Sequence, residues 1–237
     1  MKEDPRMSIE DRAAFIREGI ARAAERAGRD LSEIVLVGVT KTRTVDEVRE
    51  VAPFVDAIGE NRVQEAQGKR AAWGEAPSPP WRLIGHLQNN KARRAVELFD
   101  TVDSLASIQL ADRLSRIADE IGRTLPVLIE VNTAREASKS GVDPEDFPAL
   151  LENVLRLPRL ALEGLMTIGP LTDDEARVRR AFAELRGLAE RARASSGLPL
   201  PVLSMGMSSD MELAILEGST MVRIGTALFG PRDRQDA

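Results

Sequence analysis

Short apolar runs alternate along the chain with longer stretches in which apolar residues recur every three or four positions. The runs fall at residues 34–39, 55–58, 81–84, 101–102, 127–131, 160–166, 202–203 and 221–224, and predict eight strands. Helical spacing predicts helices over 45–51, 61–73, 108–121, 147–155, 175–194 and 211–217. A further amphipathic helix precedes them at 9–27, where Ile9, Ala13, Ile16, Ile20 and Ala24 share one face and Gly28 supplies the stop. Strand and helix in strict alternation predict a parallel sheet, because a crossover helix returns the chain to start the next strand in the same direction. Eight such units favour closure into an α/β fold of the (β/α)8 TIM barrel type with an extra N-terminal helix; an open doubly wound sheet is the alternative. Residues 75–80, rich in proline, read as an exposed loop, 231–237 as a frayed tail, and residues 1–237 together as a single barrel domain.

Composition narrows the chemistry. With 43% hydrophobic residues the chain can bury a large core, and 38 acidic against 33 basic residues leave a formal charge of -5 that does not favour nucleic acid. The basic run at 89–94 has no interleaved aromatic platform and reads as the start of a solvated helix. The first thirty residues mix acids with arginines, and no later run is long and apolar enough to span a bilayer, so a cytoplasmic location and no membrane partner are expected. Cysteine is absent, which removes disulfides and thiolate chemistry, and the lone His86 supplies too few nitrogens for a usual zinc centre. Tyrosine is absent too. Proton transfer is left to lysine, carboxylate, His86 or a bound cofactor.

Of five lysines, only Lys41 directly follows a buried-strand pattern, and the carboxyl ends of barrel strands are where such folds build their sites. An amine at an apolar mouth loses hydration, which lowers its pKa and makes it a nucleophile toward an aldehyde. The alternative is a lysine that simply extends into solvent. Two small-residue turns are expected across the mouth from it. Residues 204–210 (Ser-Met-Gly-Met-Ser-Ser-Asp) follow the seventh strand and 223–226 (Arg-Ile-Gly-Thr) end the eighth, the recurring phosphate position of these barrels. Each taken singly also reads as an ordinary helix cap. Arg223 in a barrel interior needs a partner, either a ring nitrogen of a ligand or a carboxylate such as Glu130 or Glu163.

Seven ordered blocks then carry a resemblance. They are Val39-Thr40-Lys41; Gly59-Glu60-Asn61 with Val63-Gln64-Glu65; Ile84-Gly85-His86-Leu87-Gln88 with Asn90-Lys91; Lys139-Ser140-Gly141; Gly164-Leu165-Met166; Ser204-Met205-Gly206-Met207-Ser208; and Val222-Arg223-Ile224-Gly225-Thr226. Over residues 34–230 the chain resembles the pyridoxal phosphate homeostasis proteins (YggS/PROSC family), relatives of the N-terminal barrel of alanine racemase. The resemblance implies pyridoxal 5′-phosphate (PLP) as cofactor, with Lys41 as the Schiff-base lysine. It implies Asn61 and Met166 beside the ring, Arg223 at the pyridine nitrogen, and Ser208, Gly225 and Thr226 at the phosphate. An arginine there keeps the ring nitrogen unprotonated and weakens the ring as an electron sink, which suits holding over carbanion chemistry. The implied function is B6 homeostasis without full amino-acid enzyme activity, in a monomer that passes its cofactor to PLP-requiring apoenzymes. Arg62 stands where the family commonly has tyrosine, so that residue's role does not carry over.

Alanine racemase works with a lysine and a tyrosine on opposite faces of its substrate, the tyrosine coming from a second domain. Neither the tyrosine nor such a domain is expected here. Two enzyme readings remain as alternatives: a PLP-dependent racemase using His86 or water as second acid, and a lysine aldolase acting on a sugar phosphate. Lys139, in the loop after the fifth strand, reads as surface solvation or as a way station for cofactor in transfer.

Overall fold

Each apolar run forms a strand, and each strand lies parallel to the next in chain order until the eighth closes onto the first. The computed structural model describes residues 7–230; the expected tail at 231–237 lies outside them. The strands are β1 (Val35–Val39), β2 (Ala57–Glu60), β3 (Trp81–Leu83), β4 (Thr101–Leu105), β5 (Leu125–Glu130), β6 (Leu160–Met166), β7 (Val202–Ser204) and β8 (Met221–Ile224). Among the described residues the helices are α1 (Ile9–Arg26), α2 (Val45–Val51), α3 (Val63–Trp73), α4 (Ala92–Leu98), α5 (Ile108–Ile121), α6 (Phe147–Leu155), α7 (Glu175–Ser196), α8 (Met211–Leu216) and α9 (Thr226–Phe229). The closed (β/α)8 barrel is thus the architecture, and the open sheet is set aside.

Departures from the predicted boundaries have local causes. β2 begins at Ala57 because the Asp56 carboxylate instead accepts from the Leu36 N–H at 2.7 Å, making 55–56 its entry turn. β4 runs three residues past its apolar pair because Asp103 and Ser104 face the protein interior and are buried there. α3 starts only at Val63, since the chain bends at Asn61 and Arg62, the residue before the helix, is extended. The basic run at 89–94 does open a helix, as a 3-10 turn at Asn89–Lys91 leading into α4.

The main apolar core lies between the sheet and its surrounding helices, as expected when inward and outward residues alternate along each strand. Inside the barrel, Val37, Ala57 and Met221 form an apolar floor. Toward the carboxyl ends of the strands the interior turns polar. Arg82 donates to the buried Asp103 carboxylate at 2.9 Å, and Glu130 and Arg223 are buried beside that pair. The helix preceding the repeats, α1, starts on a capping box in which Ser8 and Asp11 each accept the other's backbone N–H. Its apolar face, Ala13, Ile16, Ile20, Ala23 and Ala24, packs with Ile215 of α8 and Leu228 and Phe229 of α9. α1 therefore buttresses the two helices that follow β7 and β8.

Candidate functional site at the barrel mouth

The β1–β8 seam pairs Val37 with Arg223 and Gly38 with Ile224. Chain leaving β1 at Thr40–Lys41 and chain leaving β8 at Gly225–Thr226 consequently emerge side by side. The lysine is adjacent to the β8 turn, where the sequence suggested it would lie across the mouth. Lys41, Arg43, Ser208, Arg223, Gly225 and Thr226 line one cavity of about 570 Å³, with Val39, Met207, Ser209, Phe229 and Gly230 completing the wall.

Lys41 is exposed, so the dehydration expected from an apolar mouth is not a property of the amine in this structure. It occupies a tight turn in which the Arg43 N–H donates to the Thr40 carbonyl at 3.0 Å. Thr42, the next residue, has φ of 63°, a left-handed conformation uncommon for a β-branched side chain. Behind the turn, the Lys69 ammonium donates at 2.6 Å to each of the Thr40 carbonyl, Glu60 Oε1 and Glu65 Oε1. Burial pushes the Glu60 carboxyl pKa up, and Lys69 and the Thr40 hydroxyl oppose it.

Arg223 is 4% exposed, with Nη1 donating to the Ser204 hydroxyl at 2.7 Å and Nη2 to the Thr167 carbonyl at 2.8 Å. The alternative of a direct carboxylate pair with Glu130 or Glu163 is not realised: among the described residues no carboxylate forms an ion pair with Arg223. Burial lowers its pKa, and Asp103, Glu130 and Asp210 counteract this through space. Glu130 responds in the opposite sense. Burial raises its pKa to about 7 despite Arg223, and its Oε2 has no hydrogen-bond partner.

The turn after β7 is less open than its sequence suggested. Gly206 has φ of 97°, and a Cβ there would sit 2.6 Å from the Ala214 Cβ, so the close approach to α8 requires glycine. The Met207 N–H donates to the Asp210 carboxylate at 2.6 Å and is not free for a ligand. The Ser208 hydroxyl accepts from the Ala227 N–H at 3.5 Å and so ties this turn to α9.

Five of the seven predicted site residues share the Lys41 cavity; Asn61 and Met166 do not. Asn61 lines a neighbouring cavity of about 550 Å³ with Arg62, His86 and Lys91. Met166 is fully buried, in register with Glu130 and Ser204, so its side chain belongs to the interior layer next to the hydroxyl that holds Arg223. His86 and Arg62 are both exposed. Lys139 is engaged by the Gly169 carbonyl and lies 3.5 Å from Glu136, so it is not a free surface amine.

Sequence reasoning missed Arg43, Asp210 and Lys69. Arg43 stands two residues past Lys41 and stacks on Phe229 with its guanidinium carbon 4.9 Å from the ring centroid. The only written signal for Lys69 is its position four residues after Glu65 on a helix, a spacing that usually marks a solvated pair.

The closed barrel with its site on the β1–β8 side of the mouth is that of an alanine racemase-type barrel protein: residues 15–233 match the family described as alanine racemase, N-terminal domain. Alanine racemase of Clostridium difficile superposes with a TM-score of 0.73 at 19% identity, covering 96% of this chain and 58% of that one, a likeness of fold. The pyridoxal phosphate homeostasis protein of Pseudomonas aeruginosa is 45% identical over 227 residues, 95% of this chain and 96% of that protein. PipY of Synechococcus elongatus, solved with PLP bound, superposes with a TM-score of 0.79 at 39% identity, covering 90% of this chain and all (100%) of that one. The chain belongs to the pyridoxal phosphate homeostasis protein family.

Proposed function

We propose that residues 1–237 act as a single barrel domain that binds PLP through a Schiff base on Lys41 and serves vitamin B6 homeostasis as a carrier, not as an amino-acid enzyme. The observation that carries this reading is the cavity of about 570 Å³ in which the Lys41 amine meets Arg223, Ser208, Gly225 and Thr226. Its volume falls in the range of small-molecule sites, and its lining supplies what a phosphorylated aldehyde requires. Among the described residues no side chain holds the Lys41 amine, which leaves it available to condense. Ser208, Thr226 and the Gly225 turn offer hydroxyls and space for a phosphate; a Cβ on Gly225 would come within 3.3 Å of the Val39 Cβ. Arg223 is assigned to the ring nitrogen, and Asn61 and Met166, from the adjoining cavity and the interior layer, to the ring side.

Bound PLP supplies an aldehyde and an electron-accepting ring. Condensation is balanced without an oxidant or reductant: the lysine nitrogen bonds to the aldehyde carbon and the aldehyde oxygen leaves as water. Support for a carrier comes from what shares the cavity with Lys41. Among the described residues its lining contains no carboxylate, histidine or tyrosine, and His86 lies on the neighbouring cavity. The names of the relatives and the PLP held by PipY favour the same reading. The proposed recipients are PLP-requiring apoenzymes, and the protein works as a cytoplasmic monomer. Among the described residues no helix is long and apolar enough to cross a membrane.

The test is to add PLP, follow imine absorbance, reduce with borohydride and locate the adduct by mass spectrometry. Modification of Lys41, with no exchange of amino-acid α-protons in deuterated solvent, is the expected result. An adduct mainly on another lysine would overturn the assignment, and rapid α-proton exchange with turnover would replace the carrier with a racemase.

A further inference from the structure

A buried lysine outside the cavity lies directly behind the Lys41 turn. Lys69, on α3, is 6% exposed, and each of its three acceptors lies at 2.6 Å. An ammonium has three protons, so this one is fully committed. Its two carboxylate partners reach the same turn. Glu60 Oε1 also accepts from the Thr40 hydroxyl, and Glu65 Oε1 also accepts from the Thr42 N–H.

These bonds fall on the two peptide groups that flank Lys41. The Thr40 carbonyl belongs to the peptide before its Cα and the Thr42 N–H to the peptide after it. Both peptide planes are pinned by one cluster, and with them the direction of the Lys41 Cα–Cβ bond. The conformation so held is a strained one. Thr42 takes the left-handed position, φ of 63°, at which tight turns ordinarily carry glycine. Strain of that kind persists where surrounding contacts over-determine the backbone, and the Glu65 and Lys69 bonds are those contacts. Stability alone gives little reason for the cluster, since buried ion pairs are often replaceable by apolar residues of similar volume without loss.

We infer that Lys69, bridging Glu60 and Glu65, is a positioning residue that fixes the direction in which Lys41 presents its amine to the cavity. What the amine then does rests on the proposed PLP function; the geometry of the turn does not.

Three variants test this: Glu65→Ala, which removes the acceptor of the Thr42 N–H; the double variant Lys69→Met, Glu60→Gln, which removes both buried charges together; and Glu65→Ala with Thr42→Gly. In ligand-free protein, hydrogen exchange at the Thr42 amide is expected to be about tenfold faster in Glu65→Ala than in the parent. With PLP, imine formation is expected to slow about tenfold in the first two variants, as the amine loses its fixed approach. Adding Thr42→Gly to Glu65→Ala is expected to recover much of the rate, because glycine takes the left-handed position without strain. A purely structural cluster predicts lower melting temperatures without that rescue. Parent-like imine rates in folded Glu65→Ala and in the double variant would overturn the positioning role. If the parent itself forms no imine, the PLP reading fails, and the role of Lys69 is then decided by amide exchange alone: unchanged Thr42 exchange in Glu65→Ala overturns it.

Discussion

Arg223 donates to the Ser204 hydroxyl at 2.7 Å, and Ser204 sits in register beside Met166. The guanidinium is thereby anchored on neutral oxygens while Asp103, Glu130 and Asp210 act on it through space. Arg223→Met would take away the cation that acts on the buried Glu130 and Asp210 and leave the Ser204 hydroxyl and the Thr167 carbonyl without their donor. It should destabilise the barrel by about 1–3 kcal/mol and abolish PLP binding. Urea denaturation and a PLP titration read the two effects separately.

Glu130 predicts a pH dependence. Its pKa is about 7 when folded against an ordinary 4.5. Between those values the unfolded chain has released a proton that the folded chain keeps, so its contribution to stability falls as pH rises and levels off above about 7. Glu130→Gln should match the parent near pH 4 and exceed it near pH 8 by on the order of 3 kcal/mol. Glu60, Asp103 and Asp210 are also raised, but both proteins retain them, so the difference in urea midpoint between the two isolates Glu130.

The buried Arg82 and Asp103 pair, 2.9 Å apart, is suited to a double-mutant cycle. Arg82→Met alone should cost about 3–5 kcal/mol by leaving Asp103 uncompensated, and adding Asp103→Leu should recover most of it. Two single changes that simply add would show the pair to be uncoupled.

Gly164 makes room for a neighbouring strand. A Cβ there would lie 1.9 Å from the Val202 carbonyl oxygen, so Gly164→Ala must push β6 away from β7. A loss of about 3 kcal/mol is expected, read as a lower melting temperature.

Strands such as β6 and β8 are legible in the sequence because their apolar runs match the length of the sheet. β4 is legible only in part: Asp103 looks like a loop residue until the barrel interior is known to be polar at that height, and Ser104, on the other face, is buried where its hydroxyl donates to the Gly85 carbonyl. α9, four residues long, is too short to show a helical period, and the sequence predicts only the turn at 223–226 that leads into it. Lys41, Arg223 and the two turns could be assembled because each stands at a strand's carboxyl end, where the fold dictates convergence. Asn61 obeys the same rule yet opens onto the next cavity, since position along a strand does not specify which sector of the mouth a side chain enters. Lys69 gives no sign of burial, because its partners Glu60 and the Thr40 carbonyl reach it only once β1 and β2 lie side by side.

Closure of the ring between β1 and β8 has a bearing on synthesis. The turn carrying Lys41 is made early, whereas Arg223, Gly225 and Thr226 are made near the end of the described chain. A nascent chain lacking β8 has the amine but not its companions, and acquires the complete pocket only when this most distant strand pairing forms. Capture of the cofactor is therefore an event of the finished barrel, and bound cofactor would in turn hold the seam shut against unfolding.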